Sequence, residues 1–153
     1  MRKLLTLITV LLLSLSVATA QDLTGSWVGV SGGFPGFNLH FGLNDVVSQG
    51  VDLRLNGSFT YTGAFGLGAD VLVAIPAELD QPVAIYGGGG PFATFGGAAG
   101  FGFGLALFVG GEYRLGDVGF APGGIFAELG PSLGFVPNFG VGFVGRLGFN
   151  YHF

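Results

Sequence analysis

The chain contains no cysteine, so neither a disulfide framework nor a lipid-modified cysteine anchor can hold it in place. Charge is almost as scarce. Asp, Glu, Lys and Arg make up 9% of the residues, against about 25% in an ordinary globular protein. No lysine follows Lys3, and after residue 20 the only basic side chains are Arg54, Arg114 and Arg146, facing nine Asp and Glu, for a formal charge of −6. Without a basic cluster, nucleic acid is excluded as a partner. A hydrophobic fraction of 50% excludes disorder. A water-facing surface would have to be made of Phe, Leu, Val and Gly, whereas an apolar solvent around the outer surface removes that difficulty.

The N-terminus carries an export pattern. Arg2 and Lys3 precede the apolar stretch from Leu4 to Val17, and Ala18-Thr19-Ala20 supplies small residues for cleavage before Gln21. These features predict a secretory signal peptide over 1–20 and one domain over 21–153. In lipid, only helices and closed barrels satisfy every backbone polar group. The uncharged run from Pro82 to Gly111 is long enough for a helical span, yet its periodicity is that of a strand. Phe101, Phe103, Leu105, Leu107 and Val109 alternate with Gly102, Gly104, Ala106, Phe108 and Gly110, and glycine at alternate positions weakens a helix.

The last segment alternates most clearly. Phe139, Val141, Phe143, Leu147, Phe149, Tyr151 and Phe153 share one face, with small or polar residues on the other. A terminal aromatic preceded by apolar residues at every second position resembles the closing strand of bacterial outer-membrane proteins. Together with the export signal, the pattern resembles the small eight-stranded barrels of the OmpA type. That resemblance implies a closed antiparallel up-and-down β-barrel and location in the bacterial outer membrane. It further implies that Phe149, Tyr151 and Phe153 form an assembly signal read by the barrel assembly machinery.

Eight strands of about 9–11 residues fit the 133 residues that follow the signal; ten with tighter turns also fit. The expected strands are 23–31, 37–43, 51–61, 65–75, 83–95, 101–115, 125–135 and 139–153. The hairpin loop after the third strand is placed at Thr62-Gly63-Ala64, and Pro91, which cannot donate to a ladder, at a bulge or strand end. From the second strand onward the apolar residues are odd-numbered; the first and fifth strands stay ambiguous.

All strand charges then fall on the even, glycine-bearing face. Asp52, Arg54, Asp70, Glu112, Arg114, Glu128 and Arg146 are expected to form a lumenal ion-pair network, because buried charges need partners. Its centre is expected at Glu112, Arg114, Glu128 and Arg146, which come from three consecutive strands. Tyr61, Tyr113 and Tyr151 fit interfacial girdles, while the facing of Trp27 is open. His40 and His152 form no metal-ligand cluster with other residues and read as inward polar side chains. No serine spacing suggests a triad, and Gly87–Gly90 lacks the Lys-Ser/Thr of a phosphate loop. Neither cofactor nor catalysis is expected. The remaining functions are an envelope structural protein embedded in outer-membrane lipid, a narrow gated channel for small solutes or ions, and a loop-presenting ligand module. The last is weakened by short, nearly uncharged loops.

Overall fold

The computed structural model describes residues 25–76, 83–98 and 100–153; the expected signal segment and the start of the first expected strand lie outside them. Eight antiparallel strands close into one barrel in sequence order: β1 (Ser26–Phe34), β2 (Gly36–Leu43), β3 (Val51–Thr60), β4 (Ala64–Ile75), β5 (Val83–Gly96), β6 (Phe101–Arg114), β7 (Gly123–Val136) and β8 (Gly140–His152). The first strand is displaced by three residues from the expected 23–31, and a short 3-10 helix at Leu115–Val118 follows β6. The β3–β4 loop is Tyr61-Thr62-Gly63 rather than 62–64, with Gly63 at φ 78° completing the turn. Phe59 pairs with Phe65, so the shift leaves every residue on its expected face.

Even-numbered residues point inward along β2 to β8, the ambiguous fifth strand included, except Val136, which a register shift pairs with the outward Phe103. In β1 the parity reverses. Gly32 pairs with Phe37, leaving four residues between the last paired positions. Directly paired residues share a face, so an even-length turn exchanges odd for even. Trp27 therefore points inward, 4% exposed, and is not part of an outer girdle.

The interior is filled by matching large side chains to glycine across the ladder. Trp27 is paired with Gly42, Gly29 with His40, Tyr86 with Gly110, Gly88 with Phe108, Phe92 with Gly104 and Phe126 with Gly148. A Cβ on Gly42 would fall on the Trp27 indole, and one on Gly148 on the Phe126 ring. An eight-stranded barrel is just wide enough for side chains to fill, and at these pairs the glycine leaves the room that its large partner takes.

Pro91 sits in mid-strand, not at an end. The β4–β5 ladder steps from Gly68–Phe92 to Val71–Gly89 without a change of register. The β6–β7 ladder does the same between Ala106–Ser132 and Val109–Leu129. Each gap holds a Gly-Pro pair, Gly90-Pro91 and Gly130-Pro131. Proline offers no N–H to the ladder. At each gap the facing carbonyl, of Ala69 or Leu107, occupies the place a Cβ would take on the glycine.

The two ends of the barrel differ. The start of β1 and the end of β8 lie at one end, the terminal end, with the longer connections 44–50, 76–82 and 115–122; the other end is closed by Pro35, 61–63, 97–100 and 137–139. At the terminal end, Asp45 Oδ1 accepts the Gly50 N–H and Asp52 Oδ1 accepts the Asp45 N–H at 2.9 Å, ordering the β2–β3 loop.

Valine at Gly90 or Gly130 forces its side chain into a backbone carbonyl and is expected to destabilise the barrel by about 1–3 kcal/mol or more. Gly57 has open space around it, so Gly57→Ala should stay within about 0.5 kcal/mol of the parent. Equilibrium urea unfolding of the three refolded variants checks the ranking.

Candidate functional site

Among the described residues, the fold gathers charge in the lumen. Strand register places Arg54 directly opposite Asp70 and Glu128 directly opposite Arg146. These are two cross-strand pairs on different sides of the barrel. Arg54 joins them. It donates to Asp70 Oδ2 through Nε (3.1 Å) and Nη2 (2.8 Å), and to Glu128 through Nη1 (2.5 Å) and Nη2 (3.1 Å). Its side chain is 1% exposed, and with β3 and β7 far apart around the sheet this bond crosses the lumen.

Neighbouring groups complete this central layer. Asn56 Nδ2 donates to Asp70 Oδ2 at 2.7 Å, and the Tyr86 hydroxyl donates to Glu128 Oε1 at 3.0 Å. Arg146 Nε stands 3.4 Å from Glu128 Oε2 but makes no hydrogen bond there, so this contact is an ion pair at a distance. Both guanidiniums lie over the Phe108 ring, at 5.0 Å for Arg54 and 5.2 Å for Arg146, where the face of the π-system attracts cations. Two cations and two carboxylates leave the layer neutral.

A second layer lies toward the terminal end. Glu112 accepts from Asn150 Nδ2 and from His152 Nε2, the latter at 2.8 Å, and pairs with Arg114 Nε at 2.8 Å. His40 Nε2 donates to Asn150 Oδ1 at 2.8 Å, which assigns the proton of its ring to that nitrogen. Trp27 packs edge-on against His40, its Nε1 donating to Asn44 Oδ1 at 3.1 Å. Among the described residues, no group of three or more His, Asp or Glu is arranged to hold a metal ion.

Between them these layers divide the lumen. A cavity of about 160 Å³ opens toward the short-turn end, lined by Asn38, Asn56, Ser58, Thr60, Asp70 and Arg146 among others. One of about 100 Å³ lies at the terminal end, between Trp27, Tyr86, Glu112 and His152. The plug of Arg54, Glu128, Phe108 and Phe126 separates them, with Arg54 and Phe126 each 1% exposed. Comparison with protein-family models, with curated proteins and with solved structures finds no match.

The structure brings six of the seven expected charges into ion pairs, but in two groups, Arg54–Asp70–Glu128–Arg146 and Glu112–Arg114. Arg54, not the Glu112–Arg114 segment, is the hub. Asp52 pairs with no arginine among the described residues and instead holds the loop at Asp45. Tyr86, Asn56, Asn150 and His152 also join the layers; the inward facing of Asn56, Asn150 and His152 was expected, their bonds to Asp70 and Glu112 were not. Even numbering places Asn56, Asn150 and His152 inside, whereas Tyr86 was hidden by the ambiguity of the glycine-rich fifth strand. The expected girdle tyrosines lie at both rims: Tyr61 in the short-turn loop, Tyr113 and Tyr151 near the terminal ends of β6 and β8. Phe149, Tyr151 and Phe153 lie on the outer face, where Phe120 from the β6–β7 connection covers Phe149 and Tyr151 with ring centroids 6.1 and 6.3 Å away.

Replacing Arg54 by Met strands Asp70 and Glu128 in the lumen and should cost about 3–5 kcal/mol. Adding Glu128→Gln to that variant removes one stranded charge and should recover part of the loss. Arg114, with its side chain 43% exposed, should cost under about 1 kcal/mol as Arg114→Gln. Urea unfolding midpoints test the order.

Proposed function

We propose that this chain is a structural protein of the bacterial outer membrane. Its N-terminal segment exports it, its outer face meets lipid, and its plugged lumen contributes a rigid, non-catalytic element to the envelope. One observation carries the reading: inside and outside are exchanged relative to a water-soluble barrel. Among the described residues, eight polar or charged side chains are buried, Arg54, Asp70, Glu112 and Glu128 included, against seven apolar ones. Leu107, Val109, Leu129, Val141 and Leu147 are all more than half exposed on the outer face. A soluble barrel with an apolar lumen would reverse that arrangement, and an outer face so poor in charge needs an apolar solvent.

Dimensions support it. Strands β5 to β8 have 13 or 14 residues. With a rise of about 3.3 Å per residue and a tilt of about 35–45°, they cover the roughly 25 Å apolar band of outer-membrane barrels. Aromatic side chains mark both rims of this barrel. The resemblance to OmpA-type barrels adds a role for the C-terminal strand, handing Phe149, Tyr151 and Phe153 to the assembly machinery. In one respect the chain departs from such barrels. Their longer loops face the exterior and their short turns the periplasm, whereas here the long connections lie at the end where β1 starts and β8 finishes. With the termini in the periplasm, the exterior carries only three- or four-residue turns and Pro35, which suits a structural element better than a loop-presenting ligand module.

Refolding from denaturant, followed by far-UV circular dichroism, tests the solvent. A strand spectrum should appear in detergent micelles and be lost in buffer alone; an equally stable strand spectrum in buffer would overturn the membrane assignment. In planar bilayers the plugged lumen should give no unit conductance. Discrete current steps from the parent chain would replace the structural role with that of a narrow channel.

A further inference from the structure

We infer that the cavity at the short-turn end is a binding site for a small uncharged amphiphile, one whose polar head both donates and accepts hydrogen bonds. A primary amide or alcohol on a compact apolar body fits this description. The inference stands on the cavity itself and does not depend on the envelope role.

The floor of the cavity holds the lumen's unused polar capacity. Arg146 is 8% exposed at its side chain, and its guanidinium makes no hydrogen bond with the described residues; its one ion pair among them is with Glu128, at 3.4 Å through Nε. Glu128 is meanwhile taken up by Arg54 and Tyr86. Asp70 accepts three bonds, all on Oδ2, two from Arg54 and one from Asn56, and among the described residues Oδ1 accepts none. Asn56 spends its amide nitrogen on Asp70, and its buried Oδ1 has no partner. Arg146, Asp70 and Asn56 all line this cavity. One wall thus offers a cationic donor, Arg146, and an acceptor, Asp70 Oδ1, and buried polar groups of this kind are ordinarily satisfied.

Charge balance selects the head group. The layer beneath already pairs two arginines with two carboxylates. A bound carboxylate would meet Arg146 but add an unbalanced charge beside Asp70 Oδ1, and buried unpaired charge is costly. An ammonium would reverse the problem at Arg146. A neutral amide can accept from Arg146 and donate to Asp70 without disturbing the balance. The remaining walls suit an apolar body, since Phe92, Ala106 and Val144 line the space along with the hydroxyls of Ser58, Thr94 and Ser132. Its volume of about 160 Å³ matches cavities that hold a benzene-sized guest. Benzamide is therefore a suitable probe.

The test is an NMR titration of the refolded, isotope-labelled chain in micelles, with benzamide and, separately, benzoate. Benzamide should shift the Asn56 side-chain amide and the Val144 methyl resonances saturably, and leave the Trp27 indole resonance, in the other cavity, unmoved. Benzoate should need at least tenfold higher concentration. Val144→Phe fills the space and should abolish the saturable shift, and Thr94→Leu, nearer the rim, should weaken it if the first variant fails to fold by circular dichroism. Shifts that grow linearly without saturation, or that move Trp27 equally, would mean partition into the micelle and overturn the site. Tighter binding of benzoate would overturn the choice of a neutral head.

Discussion

The bond from Arg54 to Glu128 is the constraint on which the interior depends. Each of its partners is already paired within the sheet, Arg54 with Asp70 and Glu128 with Arg146, by register alone. What the crossing bond adds is a tie between opposite walls of the barrel, which neither hairpin supplies. It also fixes how many charges the lumen can carry. A buried guanidinium needs several acceptors, and Asp70 and Glu128 together provide four bonds to Arg54. Arg146 is left with the weaker share of Glu128, which is why it faces the cavity with unused donors.

Filling the lumen this way demands glycine. Trp27, His40, Tyr86, Phe92, Phe108 and Phe126 each stand opposite a glycine, and the alternation of large and absent side chains is what a narrow barrel permits. The two Gly-Pro interruptions in β5 and β7 belong to the same economy. There the backbone of the facing strand moves into the space that a side chain would take. The large side chains displaced from the interior sit on the outer face, where the proposed lipid solvent accepts them, so the lumenal network and the apolar exterior are two consequences of one partition.

Much of this was legible in the chain. A period of two survives any choice of loop, so the inward position of every strand charge from Asp52 to Arg146 followed from parity. Register did not follow, because it depends on turn lengths that alternate apolar residues leave undetermined. The four-residue turn between Gly32 and Phe37 reversed the facing of β1 and took Trp27 inside. In β5, glycines on both faces erased the contrast between inside and outside, concealing Tyr86. Height along the barrel was equally hidden. Glu112 and Glu128 share a face and neighbouring strands, yet the stagger of the ladder puts them in separate layers, and only closure of the sheet brings β3 within reach of β7.

The central claim is that the outer face of the barrel meets hydrocarbon while Trp27 does not. Tryptophan fluorescence in bilayers with bromine-labelled acyl chains tests it most directly, because Trp27 is the chain's single tryptophan. The parent protein should be quenched weakly, and a Leu107→Trp variant on a Trp27→Phe background strongly. Equal, weak quenching of both would place the outer face outside the hydrocarbon and contradict the account.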